Sequence, residues 1–337
     1  MWRTDEWWVR IWDFPRLQLA VLLAIVMVQI LWLPRPRGKA VWISLAAGAA
    51  ALLWQLSHFA AYVPLAAKQV ASAASCPPER SLTLLHANVL QTNREHMAVL
   101  DLVKLVDADV VLLVETGPEW EAVLAPIAPR YPFRAAETVP NTYGMILLSK
   151  LPMQAVVRHR LQPAVPSIDA RLRLRGGDIV DLYAVHPEPP IPGNDSGQRD
   201  AELVLVGRDV RARGRAAIVI GDLNDVAWSR TSRLFGEISE MGDPRVGRGL
   251  YPTFNARIPF LRWPLDHLFV TPHFDLVAID RLPDVGSDHF PMRFKLCLGS
   301  PPGARHTPAT ALPEVREDAR EQLREGREAA AEEASGG

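Results

Sequence analysis

The sequence predicts an α+β fold, packed β-sheets with helices outside, held behind two membrane-spanning helices. Three observations predict it. Two long uncharged runs lie near the N-terminus. From Ser81 to Leu298, charged and apolar residues mix, and strand-like stretches alternate with helix-like ones. The strands outnumber the helices and come in hairpin-like groups, the pattern of an α+β domain. The expected divisions are a membrane anchor over 1–75, a soluble domain over 80–298, and a polar tail over 299–337.

The uncharged runs are Leu17 to Leu33 and Ala40 to Ala67. A bilayer core takes a helix of about 20 apolar residues. The expected spans are therefore about 11–33, extended back from the first run, and about 40–63. Trp7, Trp8, Trp12, Trp32, Trp42 and Trp54 suit anchoring at the membrane–water interface. Between the spans lie Arg35, Arg37 and Lys39, with no acid. Basic loops stay in the cytoplasm, so both termini and the soluble domain are expected on the periplasmic or extracellular side. Ala71-Ser72-Ala73 has the small-x-small pattern of a signal cleavage site. That alternative also exports the domain.

The soluble domain reads in order as follows. Ser81–Asn88 interleaves apolar and polar residues as a strand does. Glu95–Asp107 places Met97, Leu100 and Val103 on one helical face. Asp109–Glu115 is a buried strand, and Pro118–Ala128 a short helix opened by proline. Strands are expected over Tyr143–Ser149, Ile168–Arg175 and Ile179–His186, then a helix over Asp195–Arg211. Ala216–Gly221, Leu265–Val270 and His289–Leu296 complete the strands. The tail ends in EVREDAREQLREGREAAAEEASGG, with no evident apolar stripe, and is expected to be a disordered polar appendage.

Residues 80–298 hold 25 Lys+Arg against 26 Asp+Glu. Proteins that grip long nucleic acid usually carry a basic excess for the phosphates, so neutrality argues against tight duplex binding. There is no P-loop and no Ser or Cys nucleophile motif.

The chemistry sits at strand ends. Asn88 and Glu115 close two strands and offer the oxygen ligands that hard divalent cations take. His186 ends a third strand. Gly221-Asp222-Leu223-Asn224 ends a fourth, with Asp222 and Asn224 spaced to share a face. Ser287-Asp288-His289 pairs with Asp266, a carboxylate able to orient the His289 imidazole while Asp288 stays available to a metal. Each alone is more often a turn or a cap. Together they suit attack of an activated water on a phosphate ester, the metal stabilising the developing charge.

The order of Asn88, Glu115, His186, GDLN at 221–224, LDH at 265–267 and SDH at 287–289 resembles the endonuclease/exonuclease/phosphatase superfamily, with Tyr143–Lys150 similar to its G-x-x-L-L-S-K strand. The bacterial subfamily with N-terminal membrane spans is most similar. The resemblance implies a four-layered α/β/β/α sandwich and Mg²⁺ or Mn²⁺ on Glu115, assisted by Asn88 and Asp288. It implies that Asp222 positions the water, Asn224 contacts the phosphate, and His186 stabilises the phosphoryl oxygens. His289, oriented by Asp266, is base or phosphate ligand; sequence leaves open whether it or Asp222 takes the proton. The family's first and last strands are antiparallel neighbours, which implies a Cys76–Cys297 disulfide if the domain is exported.

The expected activity is metal-dependent phosphodiester hydrolysis, on nucleic acid or on a lipid headgroup. The alternatives are a phosphomonoesterase on an inositol-phosphate-like substrate and a non-catalytic membrane binding protein. The bilayer is the expected second partner, through the hairpin; no motif implies a protein partner.

Overall fold

The computed structural model describes residues 4–32, 38–192, 195–299 and 312–336. Three helices come first: α1 (Trp7–Arg10), α2 (Arg16–Trp32) and α3 (Lys39–Ser57). The domain then runs β1 (Ser81–Asn88), α4 (His96–Val106), β2 (Val110–Val114), α5 (Trp120–Leu124), β3 (Phe133–Glu137), β4 (Met145–Ser149), β5 (Met153–Arg158), β6 (Ser167–Arg173) and β7 (Ile179–Val185). It continues with α6 (Gly197–Arg213), β8 (Ala217–Asp222), α7 (Arg230–Ser239), β9 (Asp266–Val270), β10 (Phe274–Arg281), β11 (Met292–Leu298) and α8 (Pro313–Gly336).

The strands form two mixed sheets, ordered β10-β11-β1-β2-β4-β3 and β5-β6-β7-β8-β9. Alternation along each strand builds the layers. Leu82 and Leu84 of β1 meet Leu182 of β7 and Ile218 and Ile220 of β8 between the sheets. Leu85 and Ala87 face the other way, against Val99, Leu100 and Val103 of α4 and Trp120 of α5. On the far sheet, Tyr183 and Val219 turn outward onto Leu203, Val206 and Val210 of α6 and Phe235 of α7. The result is the expected helix–sheet–sheet–helix sandwich. Strands β3, β5 and β10 and helix α7 were not anticipated from the sequence.

β1 and β11 are antiparallel neighbours, with Ser81 opposite Cys297. Cys297 is disulfide-bonded to Cys76, across 221 residues of sequence.

The anchor departs from expectation at both spans. α3 is long and apolar enough to cross a membrane, but it ends at Ser57, not near residue 63. Beyond it, Phe59 and Tyr62 are buried against Val226 and Trp228 of the domain. α2 has 17 residues and reaches spanning length only together with Trp7–Asp13, from which it is bent by 65°. Residues 11–13 do not extend α2, because Asp13 is buried and paired with Arg10 and Arg16. Two spans are thus not given by helix length alone. The basic loop at 35–37 lies outside the described residues.

The tail also differs: α8 is helical and packs Val315, Ala319 and Leu323 on Ala201, Val204, Leu234 and Ile238. The stripe exists, at spacings of four, but only one small or medium apolar residue marks each turn. Gly326 completes it, since a Cβ there would lie 2.3 Å from the Ala201 Cβ.

A bond closing so long a loop restricts the unfolded chain, an effect of about 2–4 kcal/mol. Cys76→Ser and Cys297→Ser should each lower the melting temperature, with no further loss in the double variant. Unchanged melting of either variant would show that the bond does not form.

Candidate active site

Residue parity decides which side chains reach the end of the sandwich. The inter-sheet rows contain Leu82 and Leu84 of β1, Leu182 and Ala184 of β7, Ile218 and Ile220 of β8, and Leu268 and Val270 of β9. Side chains two apart share a face. His86 and Asn88 therefore continue the β1 row, His186 the β7 row, Asp222 the β8 row and Asp266 the β9 row. All five are buried. Glu115 departs from the pattern. β2 ends at Val114, and Glu115 takes φ 61°, in the left-handed region that disfavours side chains. Its carboxylate accepts from Asn88 Nδ2 at 2.7 Å.

Two glycines make the close approaches possible. At Gly221 a Cβ would lie 1.8 Å from the Val185 carbonyl, and at Gly144 a Cβ would strike the Thr116 carbonyl at 1.9 Å. The first lets β8 run beside the end of β7, just before Asp222. The second keeps β4 against the turn that follows Glu115.

The antiparallel register sets Asp222 directly opposite Asp266. Two buried carboxylates so placed repel unless a cation or donor joins them. Imidazoles do so here. His289 Nδ1 donates to Asp266 Oδ2 at 2.8 Å, and its Nε2 lies 3.5 Å from Asp222 Oδ2. His86 Nε2 donates to the other Asp266 oxygen at 2.7 Å. His186 Nε2 is 4.0 Å from Asp222. Asn88 Nδ2 also donates to Asp222, at 3.1 Å. Asp222 Oδ1 accepts from Asn224 N, and Asn224 Nδ2 donates to the Pro187 carbonyl. Ser287 Oγ donates to the Asn88 carbonyl and accepts from His289 N, which fixes the loop carrying Asp288 and His289.

These neighbours divide the two histidines. Burial lowers the His289 pKa, but Asp266 and Asp222 outweigh it and bring it up to about 10. Burial dominates at His186, which falls to about 4 and stays neutral. Asp266 is held well below the usual carboxylate range: burial opposes this, but His289 and His86 prevail. Asp222 is raised by burial, with Asp266 adding to it and His289 opposing. Burial also raises Glu115.

All eight residues named from the sequence thus gather at one end of the sandwich. His86 was missed, although its spacing from Asn88 along β1 was visible. Also missed was Phe254, whose ring lies 4.9 Å from that of His289. Tyr143, noted only as part of a strand, lies 5.8 Å from His186 between ring centres.

The donors suit a hard cation. Asp288 Oδ1 is buried and hydrogen-bonds to nothing, and the Asp288 charge is felt by the desolvated Glu115. A divalent ion held by these two carboxylates would compensate both. Asn88, as oriented, is a donor joining Glu115 to Asp222. Asp222, Asp266 and His289 also bring ligand atoms within 4.8 Å of one another. In that trio the His289 imidazole, set between the two carboxylates, already brings positive charge.

A two-sheet sandwich ending in desolvated carboxylates and carboxylate-held imidazoles has the layout of a phosphoester hydrolase. The chain belongs to the Endonuclease/Exonuclease/phosphatase family, whose pattern matches residues 85–289. Members of that family hydrolyse phosphoester bonds. A similar fold occurs in an endonuclease/exonuclease/phosphatase from Beutenbergia cavernae, at 20% identity and TM-score 0.53, covering 67% of this chain and 73% of that one. D. rerio TDP2 complexed with single-strand DNA product gives 15% identity and TM-score 0.54, over 64% and 98%. The human Nocturnin catalytic domain with bound sulfate gives 14% and 0.54, over 66% and 95%. No curated protein matches.

In the metal-free protein, the His289 ring should stay doubly protonated at pH 8, visible as two ring N–H signals by ¹⁵N NMR. Asp266→Asn should lower its pKa by at least ~2 units. A wild-type ring titrating near the ordinary value of about 6.5 would contradict this arrangement.

Proposed function

We propose that the protein is a membrane-anchored phosphodiesterase dependent on Mg²⁺ or Mn²⁺. The observation that carries the reading is the His289 imidazole held between Asp266 and Asp222, beside Glu115 and Asp288, the two carboxylates we assign to the cation, of which Asp288 has a buried oxygen with no hydrogen bond. With Nδ1 committed to Asp266, His289 presents Nε2–H as a donor to a phosphoryl oxygen. Asp222 is then the group that orients a water and takes its proton. Neutral His186 and one N–H of Asn224 add donors at the same end of the sandwich. When bound, the cation supplies charge compensation at the phosphoryl oxygens.

The anchor reading rests on α2 and α3, which pack on each other and expose Val21, Leu22, Ile25, Val28, Ile43 and Leu53. The Cys76–Cys297 disulfide supports an oxidising compartment, outside the cytoplasm.

Among substrates, one observation favours a lipid headgroup over nucleic acid. The segment after Phe254 begins at the site, where Ala256 N donates to the Asp288 carbonyl. It then reaches α2, where Gln18 donates to the Phe260 carbonyl. Phe260 is 74% exposed, beside Arg257 and Arg262 on the same segment. Apolar tips flanked by arginine suit an interface carrying anionic headgroups. The neutral domain charge points the same way.

Chelation with EDTA should abolish hydrolysis of a chromogenic bis-aryl phosphodiester, with recovery on adding Mg²⁺ or Mn²⁺. Asp222→Asn should lower kcat by roughly 10²–10⁴-fold without loss of fold. Absence of metal-dependent activity on every diester tried would overturn the enzymatic reading.

The same preparation can be offered phospholipid and sphingolipid vesicles, single-stranded DNA, RNA and inositol phosphates. Lipid-headgroup release is the expected leading activity. Phe260→Asp should reduce it at least ~10-fold while leaving the soluble diester unaffected. Faster cleavage of DNA or RNA, indifferent to Phe260→Asp, would refute the lipid assignment.

A further inference from the structure

The residues on either side of the helical hairpin lie under the loop that carries Asn224. Arg10 is buried; its Nη2 donates to Thr231 Oγ1 at 2.8 Å and to Asp225 Oδ2 at 3.2 Å. Its Nη1 is 3.5 Å from Asp13 Oδ2. Asp225 follows Asn224 directly. Its Oδ2 is also 3.3 Å from Arg199 Nη2, and Arg199 Nη1 donates to the Asn224 carbonyl at 2.9 Å. Farther along the loop, Trp228 Nε1 donates to the Asp13 carbonyl, and the Tyr62 hydroxyl donates to the Ala227 carbonyl. The Phe59 ring meets Trp228 edge-on at 4.7 Å. Residues 10–13, before α2, and 59–62, after α3, therefore hold residues 224–228 from beneath. None of these clamping residues falls in the family match, which begins at 85.

Burying Arg10, Asp13, Asp225 and Arg199 together is costly unless each charge is matched. Asp225 is the shared partner of the two arginines, and one of those also holds the Asn224 backbone. Arg199 is also held by Asp200 through Nε and Nη2, and Asp225 Oδ1 accepts from Val226 N. Without Arg10, the Asp225 Oδ2 keeps only Arg199 as a cationic partner, and a shift of Asp225 moves both the backbone at 225–226 and the guanidinium that grips Asn224. The apolar clamp at Trp228 does not substitute, because it acts four residues farther on.

We propose that Arg10 is a positioning residue for the active site. Through Asp225 it sets the backbone of Asn224 for contact with the phosphate, so the flank of the membrane anchor is part of the catalytic unit. This rests on the reading of Asn224 as a phosphate contact. It adds that the hairpin orients the site as well as tethering it.

The test is a double-mutant cycle on the full-length protein in detergent, with Mg²⁺ and a bis-aryl phosphodiester. Arg10→Leu should lower kcat roughly 10- to 100-fold, the scale of a small misplacement near the reacting group, with KM within about twofold. In an Asn224→Ala background, Arg10→Leu should cost little more. Hydrogen exchange should speed up in the peptide spanning 223–229 and stay unchanged in β8. If Arg10→Leu does not fold, Arg10→Lys keeps a charge against Asp225 and shortens the reach to Thr231, and the same cycle is read with it. A folded variant with full kcat, or multiplicative losses in the double variant, overturns the proposal. An inactive wild type instead removes the phosphodiesterase reading, and exchange at 223–229 then still tests the clamp.

Discussion

The carboxylate of Asp266 is the point on which the two sheets and the site depend together. It belongs to β9 of one sheet, yet one oxygen accepts from His86, on β1 of the other. Its second oxygen accepts from His289, on the loop leading into β11. A buried, fully paired carboxylate of this kind is high-stakes: each missing partner leaves a charge stranded in low dielectric. The same bonds that join the sheets at this end fix the ring of His289. They also make it tolerable for Asp222 to stand opposite Asp266 in the β8–β9 register. Stability and chemistry are therefore two readings of one arrangement.

The apolar core explains why the polar residues converge. Four inter-sheet rows are aliphatic along their length and polar at the end that reaches the site: Leu82, Leu84, His86, Asn88 on β1; Leu182, Ala184, His186 across the end of β7; Ile218, Ile220, Asp222 on β8; and Val270, Leu268, Asp266 on β9. The sandwich cannot close over those ends without burying unpaired groups, and two pairs meet across the sheets, His86 with Asp266 and Asn88 with Asp222. Asn88 meeting Asp222 is the clearest case, an amide from one sheet bonded to a carboxylate of the other. Glu115 is brought in by a left-handed backbone at the end of β2. Local strain at such a position persists only where its surroundings enforce it, and the Asn88 and Gln91 donors to its carboxylate do so.

Much of this was legible in the sequence, because a strand that runs into a polar residue at its end is visible in a single chain. Alternation shows it on the strand of Asn88, and apolar runs show it before Glu115, His186 and Asp222. What escaped had weaker periodicity or needed a partner to make sense. β5 is an edge strand with alternate residues half-exposed, and β10 carries a register shift against β11. α7 reads RTSRLFGEIS, with a glycine and few apolar residues. α8 looked like a solvated charge run because Val315, Ala319 and Leu323 form a stripe only one residue wide, apolar enough once α6 lies beneath it. His86 looked like an ordinary strand residue; its meaning comes from Asp266, 180 positions away. No local pattern encodes such a pairing.

The anchor shows the opposite kind of error, where composition says more than the structure bears out. Uncharged runs set the expected spans at about 11–33 and 40–63, yet the chain leaves helix early at both outer ends. In each case residues that hydropathy assigns to a bilayer are used by the domain: Ile11–Asp13 turn back to present Asp13, and Phe59 and Tyr62 fill a pocket around Trp228. An aromatic residue at the edge of an apolar run is equally suited to a membrane interface and to a protein core, and sequence does not distinguish the two. The buried charges do. Arg10 and Asp13 pair with each other and Asp13 with Arg16, but they also reach into the domain, Arg10 to Asp225 and Thr231 and the Asp13 carbonyl to Trp228. Those partners follow directly after Asp222 and Asn224. The N-terminal helices and the domain therefore meet directly beneath the loop that carries Asn224.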